Sequence, residues 1–216
     1  MRCFFLILIL SCSLSGHGQI PAIEMMGDED EIQIPFTYYY NFIVVEVLIN
    51  GVLPIRLLLD TGAENSVIFN RWYLDVMGAE YEREINIMGS DFSNVVSALI
   101  SRRVPLTFPS TGSTHMDLIV LKENIYHLEQ FLGIEIHGIL GANLFNGLVL
   151  SIDYEREIIK IKRPDRYRVP RKASVLPIEV HKGKPYVKVV TGCTNQWSDS
   201  LMYLMDTGAG LTAMIH

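Results

Sequence analysis

From Tyr38 onward the chain is built of short apolar runs separated by turn residues. Phe42 to Ile49 is rich in β-branched residues and stops at Asn50-Gly51, a strong hairpin signal. Leu53 to Leu59 returns as the partner strand. Its apolar residues do not alternate with polar ones, so it is expected to be buried on both faces. Ser66 to Phe69 reads as another short strand. Asn70 is then the N-cap of a brief helix through Trp72, Leu74 and Val76, with Gly78 just past its end. Glu84 to Arg103 forms a hairpin-like region turning at Gly89-Ser90-Asp91. Leu118 to Leu121 is a further strand, and Ile125 to Leu132 reads as a short helix stopped by Gly133. Leu148 to Ile152 and Ile158 to Lys162 bracket the polar tip Asp153-Tyr154-Glu155-Arg156. The pattern predicts a mainly β protein with only short helices.

The opening pattern then recurs. Tyr186 to Val190 parallels the strand around Phe42 to Val47, with a polar turn from Thr194 to Ser200 in place of Asn50-Gly51. Leu201 to Met205 runs into Asp206 as Leu57 to Leu59 runs into Asp60. At both junctions the chain reads Asp-Thr-Gly-Ala: Asp60-Thr61-Gly62-Ala63 and Asp206-Thr207-Gly208-Ala209. One Asp-Thr-Gly arises by chance in roughly a few per cent of chains this long, given average residue usage. Two in matching contexts mark a divergent internal repeat. The second copy stops short, because after Asp206 there is no room for a second Ile-Leu-Gly segment or a second flap. The second unit is therefore expected to be completed by sequence beyond His216.

Composition supports a packed protein. Hydrophobic residues make up 49% of the 216 and charged residues 19%, enough apolar material for a core. The net charge of −6 gives no footprint for a nucleic-acid partner. Residues 1–18 read as a signal peptide: Arg2 is the positive start, Phe4 to Leu10 the apolar stretch, and Gly16-His17-Gly18 precedes a cut that leaves Gln19 first. In a second reading, Ile9-Leu10-Ser11-Cys12 resembles a lipobox, and lipidated Cys12 attaches the protein to a membrane. Both readings export the protein, to the periplasm or outside the cell. Residues 19–37 are expected to be a lead-in, with the acidic cluster Asp28-Glu29-Asp30-Glu31 solvated. Residues 38–162 form a first lobe, 163–175 a basic, Pro-interrupted linker, and 176–216 the start of a second lobe. Cys3, Cys12 and Cys193 make no metal or disulfide pattern.

Two carboxylates at equivalent strand-to-loop junctions suit the activation of water. When close together they share one proton, because two like charges a few ångströms apart do not both ionise cheaply. One then acts as general base on a water while the other polarises a carbonyl. A Gly two residues after each Asp lets the backbone turn tightly and aim an N–H at the carboxylate. The bland alternative is a pair of ordinary strand-end turns, where Asp and Gly are common. Glu64 reads as a structural loop residue. The dispersed His115, His127, His137 and His181 read as surface or packing residues. No nucleophile elbow, P-loop or H-E-x-x-H motif is present, and the chemistry calls for no cofactor or metal.

Asp60-Thr61-Gly62, the later Ile139-Leu140-Gly141 and the hairpin around Asp153 resemble the pepsin-like and retropepsin-like aspartic proteases, with Gly141-Ala142-Asn143-Leu144-Phe145 closer to the bacterial retropepsin-type branch. The resemblance covers residues 38–162 as one lobe and 176–216 as the start of another. It implies a retropepsin-like β-barrel lobe followed by the start of an equivalent lobe. It also implies an endopeptidase in which Asp60 and Asp206 are catalytic and a peptide or protein is the substrate. By the same resemblance Thr61 and Thr207 hydrogen-bond across to the opposite lobe, Gly62 and Gly208 support the dyad, and Met88, Gly89 and Ser90 belong to a substrate-covering flap. Two alternatives accompany this reading. One is a non-catalytic peptide-binding module on the same fold; the other is a homodimer in which each chain contributes Asp60.

Overall fold

Residues 31–88, 95–109, 112–192 and 198–210 are described by a computed structural model. Strand accounts for 51% of the structure and helix for 9%, so the architecture is mainly β. The first hairpin joins β3 (Phe42–Ile49) to β4 (Leu53–Leu59). Asn50 and Gly51 turn it at φ 50° and 69°, the paired positive values that match the twist of the flanking strands. β4 lies parallel to β9 (Gly138–Leu140), and β9 is antiparallel to β5 (Val67–Ile68). β5 is parallel to β8 (Gly112–Leu121), which pairs antiparallel with β7 (Val95–Phe108). The end of β7 then returns to β3, placing Leu48 opposite Thr107 and Ile49 opposite Leu106. These six strands close a barrel. Closure leaves none of the six without a neighbour on either side, which removes exposed sheet edges. β2 (Thr37–Tyr39) and β6 (Arg83–Met88) extend the sheet outside the ring.

The end of β4 is buried on both faces, as the run Leu57-Leu58-Leu59 predicts. Leu57 and Leu59 pack into the larger core cluster with Ile34, Val45 and Leu106. Leu58 points the other way, into a second cluster with Phe69, Ile119 and Ile139. With apolar packing on both sides, β4 brings its last residue to a fixed place, and that residue leads directly into Asp60.

Two expectations need correction. The lead-in assigned to residues 19–37 contains a strand, β1 (Glu31–Pro35), which pairs with β11 (Ile158–Lys162). Ile32 and Ile34 face the core, while Glu31, Gln33 and Pro35 face outward. This two-residue alternation was masked by the acidic residues just before it. Glu31 pairs with Lys162 at 2.5 Å rather than standing free in solvent. β11 also pairs with β10 (Val149–Asp153), so the first lobe carries a three-stranded sheet beside the barrel. The second correction concerns the helix expected over Ile125 to Leu132, which is confined to α2 (Glu129–Leu132). Asn124 Oδ1 accepts hydrogen bonds from the backbone N–H groups of Tyr126 and His127, and His127 takes φ 46°. A side chain that satisfies local N–H groups in this way competes with the helix and delays its start. The other short helix, α1 (Trp72–Asp75), is where the pattern places it, and Asn70 Oδ1 accepts from Trp72 N at 2.9 Å.

Beyond β11 the chain passes a single 3-10 turn at Pro164–Arg166. It then forms a second three-stranded sheet of β12 (Ile178–His181), β13 (Lys184–Gly192) and β14 (Ser198–Leu204). All three strands are antiparallel, in the order β12-β13-β14, repeating the order β2-β3-β4 of the first lobe. β14 leads into Asp206 as β4 leads into Asp60. Part of the expected turn between Thr194 and Ser200 lies outside the described residues.

Candidate active site

The two Asp-Thr-Gly loops meet. After β4, Asp60 N donates to Leu140 O at 3.0 Å, so the neighbouring strand β9 anchors the loop at its first residue. The loop then folds back on its own carboxylate: Gly62 N and Ala63 N donate to Asp60 Oδ1 at 2.7 and 3.0 Å. The second loop repeats the pattern, with Gly208 N donating to Asp206 Oδ1 at 2.7 Å. Glycine is required here for closeness. A Cβ on Gly62 would lie 2.6 Å from Asp206 Cγ, and one on Gly208 would press closer still on Asp60 Cγ. Each glycine thus leaves room for the opposite carboxyl.

The threonines cross between the loops. Thr61 Oγ1 donates to Met205 O at 2.6 Å and accepts from Thr207 N at 3.1 Å. Reciprocally, Thr207 Oγ1 donates to Leu59 O at 2.7 Å and accepts from Thr61 N at 3.1 Å. Four hydrogen bonds related by a local two-fold hold the two Asp residues opposite one another. Each contributes about 0.5–1.5 kcal/mol net, and leaving a partner unpaired in this partly buried crossing costs more.

The carboxyls of Asp60 and Asp206 lie against each other, each filling the space beside the opposite loop's glycine. Asp60 is buried and Asp206 only half-buried. Burial pushes the Asp60 carboxyl well above the usual carboxylate range. The charge of Asp206 pushes in the same direction, while the Gly62 and Ala63 N–H donors pull it back. The Asp60 carboxyl therefore holds a proton more tightly than an ordinary carboxyl does. Because the two sites interact, the proton belongs to the pair.

Residues outside the two loops brace the first. Asn143 Oδ1 accepts from both Ser66 N and Ser66 Oγ, at 3.0 and 2.7 Å, and Gly141 N donates to Ser66 Oγ at 3.0 Å. Ala142 N donates to Ala63 O at 2.8 Å. Ile139-Leu140-Gly141 thus runs beside the Asp60 loop and supplies it with backbone partners. Sequence reasoning missed Ser66 and Asn143. Asn143 among apolar neighbours was a signal, because burial demands a partner, whereas Ser66, following Glu64-Asn65, gave none.

Of the three residues assigned to a flap, Met88 ends β6 and pairs with Val95. Gly89 and Ser90 lie outside the described residues. Among the described residues, no three His, Cys, Asp or Glu side chains gather as metal ligands, and no helix is long and apolar enough to cross a membrane. A cavity of about 290 Å³ lined by Phe69, Tyr73, Glu129, Glu135 and His137 opens at the end of β9 opposite Leu140, away from the two Asp residues.

A pair of Asp-Thr-Gly loops crossed through their threonines beside a closed barrel is an arrangement of the aspartic-protease type. Residues 45–144 match the family model described as aspartyl protease. This segment holds both Asp60-Thr61-Gly62 and Ile139-Leu140-Gly141. Among solved structures, the chain is similar to a retropepsin-like aspartic protease from Rickettsia conorii. The two are 14% identical, the match covers 62% of this chain and 90% of that one, and the TM-score is 0.39. No curated protein sequence matches the chain.

Proposed function

We propose that the protein is an exported aspartic endopeptidase whose working carboxyls are Asp60 and Asp206. The observation that carries this reading is the crossing of two equivalent loops through their threonines, which sets the carboxyls of Asp60 and Asp206 against each other. Water lodged between them loses a proton to the ionised carboxylate as its oxygen attacks the carbonyl carbon of a peptide bond. The protonated carboxyl polarises the carbonyl oxygen. As the C–N bond breaks, a proton passes from the dyad to the leaving nitrogen. The pair ends the cycle with the single shared proton it began with. No cofactor enters. Peptide and protein chains in extended form are the substrate class.

The arrangement favours one chain over a homodimer. Asp206 occupies the position opposite Asp60, and Met205 O and Thr207 N take up the bonding capacity of Thr61 Oγ1. A second copy bringing its own Asp60 there would have to displace that loop. Export rests on residues 1–18, and N-terminal analysis of the mature protein separates a start at Gln19 from a lipid-bearing Cys12.

The test is cleavage of unfolded protein substrates by the full-length protein from acid to neutral pH, with Asp60→Asn beside it. Cleavage by the wild type and its loss in the variant support the reading. Equal cleavage by both overturns it. Stable peptide binding without cleavage at any pH would instead make the protein a binding module.

A further inference from the structure

Glu64 lies four residues after Asp60 and is only 5% exposed. Its Oε2 is buried and has no hydrogen-bond partner among the described residues. The backbone around it is clamped: Ala63 O accepts from Ala142 N at 2.8 Å and Glu64 O accepts from Asn143 N at 3.2 Å. The carboxylate is thus fixed beneath the Asp60 loop with unused bonding capacity. A buried carboxylate in that state is costly unless an opposite charge stands near it.

The opposite charge comes from the second lobe. The turn between β12 and β13 brings Gly183 onto the first lobe, where a Cβ on it would meet Ala142 Cβ at 3.5 Å, ordinary contact distance. Lys182 and Lys184 flank that glycine, and their charges act on Glu64 against the effect of its burial. Lys184 is itself only 5% exposed, a burial that lysine rarely accepts without a partner. From Lys184 the link continues to the other carboxyl. Pro185 O accepts from Met205 N at 2.9 Å, and Met205 immediately precedes Asp206. Two buried, oppositely charged residues, Glu64 and Lys184, thus lie on segments that meet where Gly183 approaches Ala142, apart from the threonine crossing.

We infer that Glu64 is a positioning residue: by receiving Lys184 and Lys182 of the β12–β13 turn, it holds the Asp206 loop in register with Asp60. The inference rests on the dyad reading above. Glu64 touches no substrate in this role and acts through the alignment of the two carboxyls. Small misplacements of reacting groups cost rate rather than affinity, by up to about 100-fold for a shift of about 1 Å.

The experiment is a double-mutant cycle in the full-length protein, with Glu64→Gln, Lys184→Met and the pair, reading kcat and KM for one peptide substrate. Glu64→Asp and Lys184→Arg are the conservative controls. The expected result is a fall in kcat of about 10- to 100-fold in each single variant with KM little changed. The double variant falls no further than the worse single one, and the conservative variants recover part of the rate. Losses that multiply in the double variant, or an unchanged kcat in the singles, overturn the inference. If Glu64→Gln does not fold, Lys184→Met alone decides: a folded protein with wild-type kcat overturns it, and one with reduced kcat at constant KM supports it. Failure of the dyad reading is distinguishable, because then Asp60→Asn and Asp206→Asn also leave cleavage intact.

Discussion

Thr61 and Thr207 are partners twice over: the hydroxyl of each accepts the backbone N–H of the other, at 3.1 Å in both directions. Each hydroxyl also donates to a carbonyl next to the opposite Asp, Met205 O for Thr61 and Leu59 O for Thr207. The side chain that follows each carboxylate therefore fixes the strand that delivers the other.

Replacing Thr61 by Val keeps its shape and removes the hydroxyl. Met205 O and Thr207 N then lose their partner at a partly buried crossing. The expected cost is about 1–3 kcal/mol, read by denaturant unfolding, while Thr61→Ser stays within about 1 kcal/mol of wild type. Equal stability of Thr61→Val and Thr61→Ser would show that the hydroxyl does not hold the crossing.

Gly62→Ala separates position from chemistry. The new methyl would sit 2.6 Å from Asp206 Cγ, so the second loop must retreat. Asp60, Asp206 and both threonines all remain. Cleavage should fall by at least about 100-fold in a protein whose far-UV dichroism is unchanged. Wild-type rates in this variant would mean that the two carboxyls do not need to be this close.

Asp60 and His137 give the fold opposite pH slopes. The folded-state pKa of Asp60 lies above the ordinary 3.8, through burial first and then the charge of Asp206. The proton is thus held more tightly in the folded protein, and its stabilisation is complete below the ordinary value. That stabilisation is lost as pH rises through the raised pKa. Asp60→Asn does not ionise, so its Tm relative to wild type should increase as pH rises from about 4 towards neutral. A difference that stays flat with pH contradicts the raised pKa.

His137 runs the other way. Its pKa is lowered from the ordinary 6.5, mainly by burial, and its Nδ1 accepts from Arg56 N at 3.0 Å, which suits the neutral ring. Its contribution is present above 6.5 and is lost as pH falls through the lowered value. His137→Asn keeps an acceptor without the titration, so its Tm should decline less than that of wild type below about pH 6.5. Parallel declines in the two proteins would contradict this.

The strand ahead of the barrel is a further test. Ile34 is wholly buried between β11 and the core cluster. Ile34→Ala should cost about 2–5 kcal/mol by chemical unfolding. A cost under about 0.5 kcal/mol, as at an ordinary surface position, would return residues 31–35 to a loose lead-in.

The sequence made the barrel strands legible where the apolar period matched their burial. Leu57, Leu58 and Leu59 are an unbroken run because both faces of β4 are covered. The meeting of Asp60 with Asp206 was legible because the same tripeptide ends two similar strands. β1 was not, because two inward isoleucines in a five-residue strand are a short signal beside four consecutive acids. The late start of α2 was also hidden, since it depends on how one Asn side chain turns. The bracing by Ser66 and Asn143 joins residues far apart in the chain. Nothing in local spacing encodes such pairs.

Asp60 and Asp206 of one chain are proposed to work as a single acid–base pair. The most direct measurement is the peptide-cleavage rate per chain of Asp206→Asn and wild-type full-length protein across a wide dilution series. A loss of at least about 100-fold is expected in the variant at every concentration, with a wild-type rate per chain that does not change on dilution. An Asp206→Asn protein that cuts at the wild-type rate, with activity falling as chains are diluted apart, would contradict it and assign the second carboxyl to another copy of Asp60.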